Sequence, residues 1–467
     1  MKLRQTIHGK LLPILLPAIF ILTLAVIGAA QGKRLSRIVP AAPLDKDAAT
    51  KKLTSPANNS LYPFRDAGLP ASTLAGVTPG PDGMLYGVTY EGGTSNKGTI
   101  FRTDPVLTSV TVLHNFNGAG DGSVPYDELI FDPASGKFFG TTSQGGPSNF
   151  GTIFEFDPAT NALTTLISDF GGYYQPKGLY VSSGNFIYGI ADGSYGAVFR
   201  MAKNGTGFTN LHAFTDFSAL PQALTLGADG KLYGVTIYGG IICDSNYNGC
   251  GTIFRLNAVL PGNTNVQFQT LYQFNNPAGG ENFPALRLIY GSDGLVYGTT
   301  HHRIFRIDPQ NANPGSTIQF IWAGSGTVSL TVIEGADNRL YATSYSDNMT
   351  GAGGIFSLNK DGSNVINLHD FSLTSGSTSY GPYGRLYRNI AGTVYGTTEY
   401  VHSPPYRGTV FSISTASPPT KLKITGGDIL VSSPGKGIIL KSPTTATCKL
   451  LTIDNSGGLI LAAVPCP

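Results

Sequence analysis

One aromatic–glycine element returns along this chain and constrains it more than any other feature. It appears as "LYG" at Tyr86, "FFG" at Phe139, "IYG" at Tyr188, "LYG" at Tyr233, "VYG" at Tyr297, "LYA" at Tyr341 and "VYG" at Tyr395, with successive separations of 53, 49, 45, 64, 44 and 54 residues. Each copy follows a tight-turn pair or its relic: "PDG", "ASG", "SSG", "ADG", "SDG", "ADN" and "IAG". Asp-Gly between apolar runs signals a hairpin. Each copy precedes a second run, from "GTIFR" at Gly98 to "GTVFS" at Gly408. A third run of the "LHNF" or "LYQF" type and a fourth such as "YDELIFD" or "PALRLIY" complete most units.

Four short β runs per unit, repeated seven times, predict an all-β, seven-bladed β-propeller of four-stranded blades. A blade must bury both faces against its neighbours. In "GTIFR", Thr99 and Phe101 therefore face one way and Ile100 and Arg102 the other. No outer run follows the seventh "GTVFSIS", but "SLYPF", from Ser60 to Phe64, precedes the first repeat. This N-terminal strand is expected to complete blade seven and close the ring. An open solenoid would leave it unexplained.

Composition agrees. Only 13% of the 467 residues are charged and 61 are Gly, which suits many short strands and turns. A net charge of +3, with no basic block in the body, argues against nucleic acid as a partner.

The chain divides into a targeting segment (1–30), a linker (31–59), the propeller (60–416), a second linker (417–423) and a β tail (424–467). Leu11 to Ala30 carries no charge and follows Lys2, Arg4 and Lys10. It reads equally as a cleaved signal peptide or a retained membrane anchor, and both imply export. Membrane contact is expected only there. Export suits two local disulfides, Cys243 with Cys250 and Cys448 with Cys466, rather than a zinc site, since neither pair has CxxC spacing. No metal or cofactor is expected. The tail shows four β runs and too few residues for easy independent stability, so it is a candidate for self-association.

With strands named A to D from the axis outward, the B–C and D–A loops share one face, the A–B and C–D turns the other. The variable B–C loops make the first face the candidate binding surface. The order "LYG-x-T … GG … GT-[IV]-F … L-[HY]-x-F … P-x-x-L … DG" resembles the GloVer tandem repeat of exported bacterial proteins, which end in varied C-terminal anchoring segments. The fifth copy lacks the Gly-Gly loop and the sixth has Ala342 for Gly. The resemblance implies an exported repeat protein of undefined activity and brings no catalytic residues.

The loop face supplies candidate binding residues: Tyr90, Glu91, Asp192, Tyr238, His301, His302, Tyr345, Glu399, Tyr400 and His402. The tyrosines suit stacking on sugars or gripping a peptide. The pair His301–His302 sits in an unusually short loop, where plain solvation competes with metal or anion binding. His114, His212 and His369 recur at one repeat position and are expected to pack. "EGGTSNKG" (Glu91 to Gly98) mimics a phosphate loop, but a β run follows where a phosphate cradle needs a helix. Non-catalytic binding or scaffolding at the cell envelope is the leading expectation, with a glycan, peptide or surface protein as ligand. The alternative is an enzyme acting on glycan or peptide through carboxylates such as Glu91, Asp192 and Glu399.

Overall fold

The computed structural model describes residues 60–63, 70–71, 75–193, 195–215, 219–243, 249–257, 266–275, 284, 287–300, 302–324, 331–344, 353–371, 382, 384–389, 391–398, 409–415, 438–441, 448–453 and 459–464. They form seven four-stranded antiparallel sheets. Blade one is Thr78–Pro79, Leu85–Thr89, Thr99–Thr103 and Val110–Asn115. Blade two is Ile130–Asp132, Lys137–Thr142, Thr152–Asp157 and Ala162–Ile167, and blade three Tyr174–Val181, Phe186–Asp192, Ala197–Ala202 and Thr209–Ala213. Blade four is Thr225–Leu226, Lys231–Thr236, Thr252–Asn257 and Phe268–Gln273, and blade five Ile289–Tyr290, Val296–Thr299, Arg303–Ile307 and Gln319–Ala323. Blade six is Val332–Glu334, Leu340–Ser344, Gly354–Leu358 and Ile366–Asp370.

Blade seven takes Tyr387–Arg388, Thr393–Thr398 and Thr409–Ser414 from the end of the ring and Ser60–Pro63 from its beginning. Leu61 lies opposite Phe411 and Tyr62 opposite Val410, so the expected closing strand is in place. A separate three-stranded sheet, Ile438–Lys441, Cys448–Ile453 and Leu459–Val464, forms in the tail. The first expected tail run lies outside the described residues. Among those residues no helix is long and apolar enough to cross a membrane; the 11–30 segment lies outside them.

Among the described residues the core consists of seven apolar clusters, one at each junction between consecutive blades. Ile100 packs toward blade two with Phe138 and Phe154, whereas Phe101 packs toward blade seven with Tyr395 and Val410. Adjacent residues of one strand thus serve opposite junctions, as the alternation requires.

Two glycines of the repeat have definite causes. In six blades the Gly of "LYG" lies under the Phe of strand C; a Cβ would fall 2.4–2.5 Å from the ring at Gly87, Gly140, Gly189, Gly234, Gly298 and Gly396. Blade six has Ala342 instead, and its Phe356 is 7% exposed where the equivalent rings are fully buried. Phe356 stacks on Trp322 of blade five, with centroids 4.6 Å apart. The Gly that opens strand C has positive φ at Gly98 (99°), Gly151 (88°), Gly196 (85°) and Gly251 (94°). Its Cβ would strike Pro125, Pro176, Pro221 or Pro284 of the next blade. The repeated Pro and the repeated Gly therefore form one joint between blades.

Polar repeat residues also serve the frame. The buried tyrosines Tyr86, Tyr233, Tyr297 and Tyr341 donate to the turn aspartates Asp82, Asp229, Asp293 and Asp337 at 2.5–2.9 Å. Several turn carboxylates then reach the next blade: Asp132 pairs with Lys203 at 2.8 Å, Asp229 accepts from Gln310 at 2.9 Å, and Asp337 pairs with Arg388 at 3.3 Å. At the root of the B–C hairpins, buried threonine hydroxyls pair, Thr89 with Thr99 and Thr236 with Thr252, at 2.8 and 2.9 Å.

Gly234→Ala should cost about 1–3 kcal/mol by overpacking against Phe254, measured by denaturant unfolding; an unchanged midpoint would count against the close-approach explanation. Acid provides a second check. Burial alone would raise Asp229, but hydrogen bonds from Tyr233 and Gln310 outweigh it and hold the carboxyl below its usual range. Its stabilisation is present above the unfolded value near ~3.9 and is lost as pH falls through the lower folded value. The melting temperature should therefore drop below about pH 4, and Asp229→Asn should flatten part of that drop.

Candidate functional site

The B–C hairpin of blade one shows what the variable loops are. "EGGTSNKG" is a turn closed by the Asn96 side chain, which accepts from the Gly92 N–H at 3.0 Å. Asn96 has φ 51°, in the left-handed region. Residues 70–71 pair with Glu91–Gly92 and lie along this hairpin, so the Glu91 backbone belongs to a small added sheet. No helix follows, as expected for a hairpin rather than a phosphate cradle.

The sequence-derived candidates are not equivalent. Asp192 is 6% exposed and ion-paired with Lys177 of its own blade at 2.8 Å. Tyr90, Glu91, Tyr238 and His302 are half-buried. The Tyr238 N–H donates to Ala219 O, and His302 O accepts from Gly324 N–H, so both backbones are tied to their loops. His301, Tyr345, Glu399, Tyr400 and His402 lie outside the described residues. Among the described residues no group of three or more His, Cys, Asp or Glu is placed to hold a metal.

The three repeated histidines pack. His114, His212 and His369 each meet the Phe two residues on, edge to face, at 4.7–5.0 Å. His212 also stacks on Phe268 at 3.6 Å, and His114 contacts Asp121 at 3.0 Å, which pins the following D–A loop. Burial lowers the pKa of His212 and His369, which favours the neutral ring.

The expected Cys243–Cys250 disulfide is present, with Cα atoms 5.4 Å apart. It staples the blade-four B–C loop and leaves Ile241 45% and Ile242 61% exposed. Phe150 and Tyr195, on the B–C loops of blades two and three, are each 39% exposed. The other exposed large apolar residues among those described, Val106, Leu226 and Val365, belong to the opposite face. Consecutive blades thus present an apolar arc on the loop face. The expected Cys448–Cys466 pairing falls on side chains outside the described residues.

A second feature was not among the sequence-derived candidates. Just before the buried aliphatic residue that leads into strand A, or in blades three and six belongs to it, stands a position that varies in kind: Gly76, Glu128, Gly178, Ala223, Arg287, Thr331 and Arg385 in blades one to seven. Arg287 of blade five and Arg385 of blade seven both contact Glu128 Oε1 of blade two, at 2.9 and 3.1 Å. Blades that far apart around the ring can meet only at its axis, and the ends of strands A that follow the D–A loops lie on the loop face. The small residues permit this closeness: Gly178 abuts Ala223, and Gly76 abuts the Arg385 backbone.

Side-chain exposure rises from 7% at Glu128 through 15% at Arg287 to 45% at Arg385. Burial alone would raise Glu128; the two guanidiniums outweigh it and hold its carboxyl below the usual range. Beside it, burial pushes Asp127 above that range despite Arg287, and Glu128 adds to the push. Asp127 accepts the Gly178 N–H of blade three. The axial mouth is therefore a compact charge cluster drawn from separated blades. Aligning the repeats by strand A would reveal it as the column that varies between acid, base and small residue.

Two tandem copies of the Gloeobacter/Verrucomicrobia repeat match residues 50–247 and 221–458. No curated protein matches the sequence. Among solved structures, a puromycin-hydrolyzing peptidase of Mycobacterium tuberculosis is 12% identical with a TM-score of 0.52, over 83% of this chain and 62% of that one. A structure of YCF48 bound to D1 peptide is 12% identical with a TM-score of 0.48, over 78% of this chain and all of the other. An oligogalacturonate lyase of Vibrio parahaemolyticus is 9% identical with a TM-score of 0.48, over 77% and 98%. At such identities the likeness concerns the fold alone. The two matches together span residues 50–458, most of the chain: the chain belongs to the Gloeobacter/Verrucomicrobia repeat family.

Proposed function

We propose that this is an exported, non-catalytic binding module that captures its ligand on the loop face of the propeller. The observation that carries this reading is the contrast between repeating and non-repeating residues. The repeating Tyr, Asp, Thr, Phe and His side chains are consumed by the frame. Non-repeating ones on the loop face form the apolar arc of Phe150, Tyr195, Ile241 and Ile242 and the axial charge cluster. Exposed apolar residues on consecutive blades, as on the loop face, are a mark of an interaction surface, whereas Val106, Leu226 and Val365 are dispersed over blades one, four and six of the other face. The paired state of Asp192 supports binding over acid–base catalysis, because its charge already serves Lys177. The disulfide in the arc and the bacterial repeat family both accord with export.

Glycan and peptide arrays probed with the full chain test this reading. A saturable ligand is expected, weakened about tenfold or more by Tyr195→Ala or Ile242→Ser. Val106→Ser and Val365→Ser, on the opposite face, should leave it unchanged. Equal loss from both faces, or a ligand that responds only to the second pair, would refute the assignment of the face.

A further inference from the structure

We infer that the axial mouth is a site for a carboxylate-bearing small ligand, held by Arg287 and Arg385 with the hydroxyl of Thr331 between them. The inference rests on the loop-face reading and names the chemistry of its centre.

Blades five, six and seven are consecutive, so Arg287, Thr331 and Arg385 occupy neighbouring places around the axis. Thr331 is 7% exposed, and its hydroxyl has no hydrogen-bond partner among the described residues. Buried hydroxyls are rarely left so. Among the described residues the hydroxyls of Thr141, Thr299 and Thr343, at one strand-B position of blades two, five and six, are also buried and unpartnered. Thr343 N–H donates to Thr331 O at 3.3 Å, which places two of these hydroxyl-bearing residues side by side.

The cations are likewise underused. A guanidinium carries five N–H donors. Among the described residues, Arg287 and Arg385 spend one nitrogen each on the same oxygen of Glu128. Glu128 is the one carboxylate among them in contact with these guanidiniums, since Asp127 beside it accepts from the Gly178 N–H, and Arg385, 45% exposed, keeps most of its fork at the mouth. The fork geometry of arginine suits a planar two-oxygen anion. Glu128 demonstrates that a carboxylate fits against both guanidiniums. Together with Asp127 it also makes the site unfavourable for a more highly charged anion such as phosphate. Glu128 is thus a resident counter-ion with which an incoming carboxylate would share its arginines.

Titration calorimetry on the full chain tests this, with D-glucuronate, N-acetylglycine, neutral D-glucose and inorganic phosphate as probes. Saturable binding of glucuronate or N-acetylglycine, without glucose or phosphate, is expected; which of the two binds better tells whether the carboxylate comes from a sugar acid or a peptide end. Thr331→Val should weaken that probe roughly 3- to 10-fold while leaving the melting temperature equal or higher, because an unpaired buried hydroxyl is removed. Glu128→Gln should tighten it several-fold by removing the competing anion, a change that a purely structural cluster would not produce. Arg385→Lys provides a mild loss of the fork should Arg287→Gln not fold.

Phosphate binding as tight as carboxylate binding, or carboxylate affinity indifferent to Thr331→Val and Glu128→Gln, would overturn the inference. If neither carboxylate binds but an array ligand does and responds to Tyr195→Ala, the axial site is refuted and the loop-face reading stands. If no probe and no array ligand binds, both fall.

Discussion

No blade of this protein can be stable alone, and the rest of the structure follows from that. Strands B and C are buried on both faces because adjacent residues of one strand, such as Ile100 and Phe101, serve different junctions. Apolar surface on two sides of a thin sheet leaves a single arrangement without an exposed end, a closed ring. Closure sets close tolerances within each blade. The glycine beneath the strand-C phenylalanine and the glycine against the next blade's proline both arise where backbone must approach more closely than a methyl group allows.

The frame was legible in the sequence because its residues repeat for a reason that repeats. Six aromatic–glycine pairs and their Tyr341–Ala342 variant, seven turns or their relics and one orphan run at Ser60 implied the blades and the closing strand, and the ring has both. The axial cluster was not legible in the same way. Glu128, Arg287 and Arg385 are scattered over 257 residues of chain between Glu128 and Arg385, and only the ring brings them together. A search for recurrence passes over the column that varies. Asp192 shows the converse: an acidic residue after a strand looked available for chemistry, but Lys177, fifteen residues earlier on the inner strand, had claimed it.

The two faces of the ring use charge differently. On the turn face, carboxylates such as Asp132, Asp229 and Asp337 reach from one blade to the next and act as local latches. On the loop face, Glu128 reaches past its neighbours to blades five and seven. A latch between adjacent blades adds to a junction already filled by apolar side chains. A contact across the axis instead couples junctions that share no residue, so a change at Glu128 is felt by the ring as a whole. Breaking a buried ion pair on one side is costlier than never having formed it, which sets the axial residues apart from the exposed loops around them.

The closing strand has a mechanical consequence. Ser60 lies opposite Ser412 and Pro63 opposite Thr409, so the chain enters the ring from the turn face, beside the point where Ser414 leaves it. A force that draws the N-terminal extension away from an object gripped on the loop face pulls that strand along its own axis. Its backbone bonds are then loaded together, the resistant geometry. A force between the two extensions instead peels the strand from one end, a bond at a time. The same short strand is a firm tether in one direction and a tear line in the other.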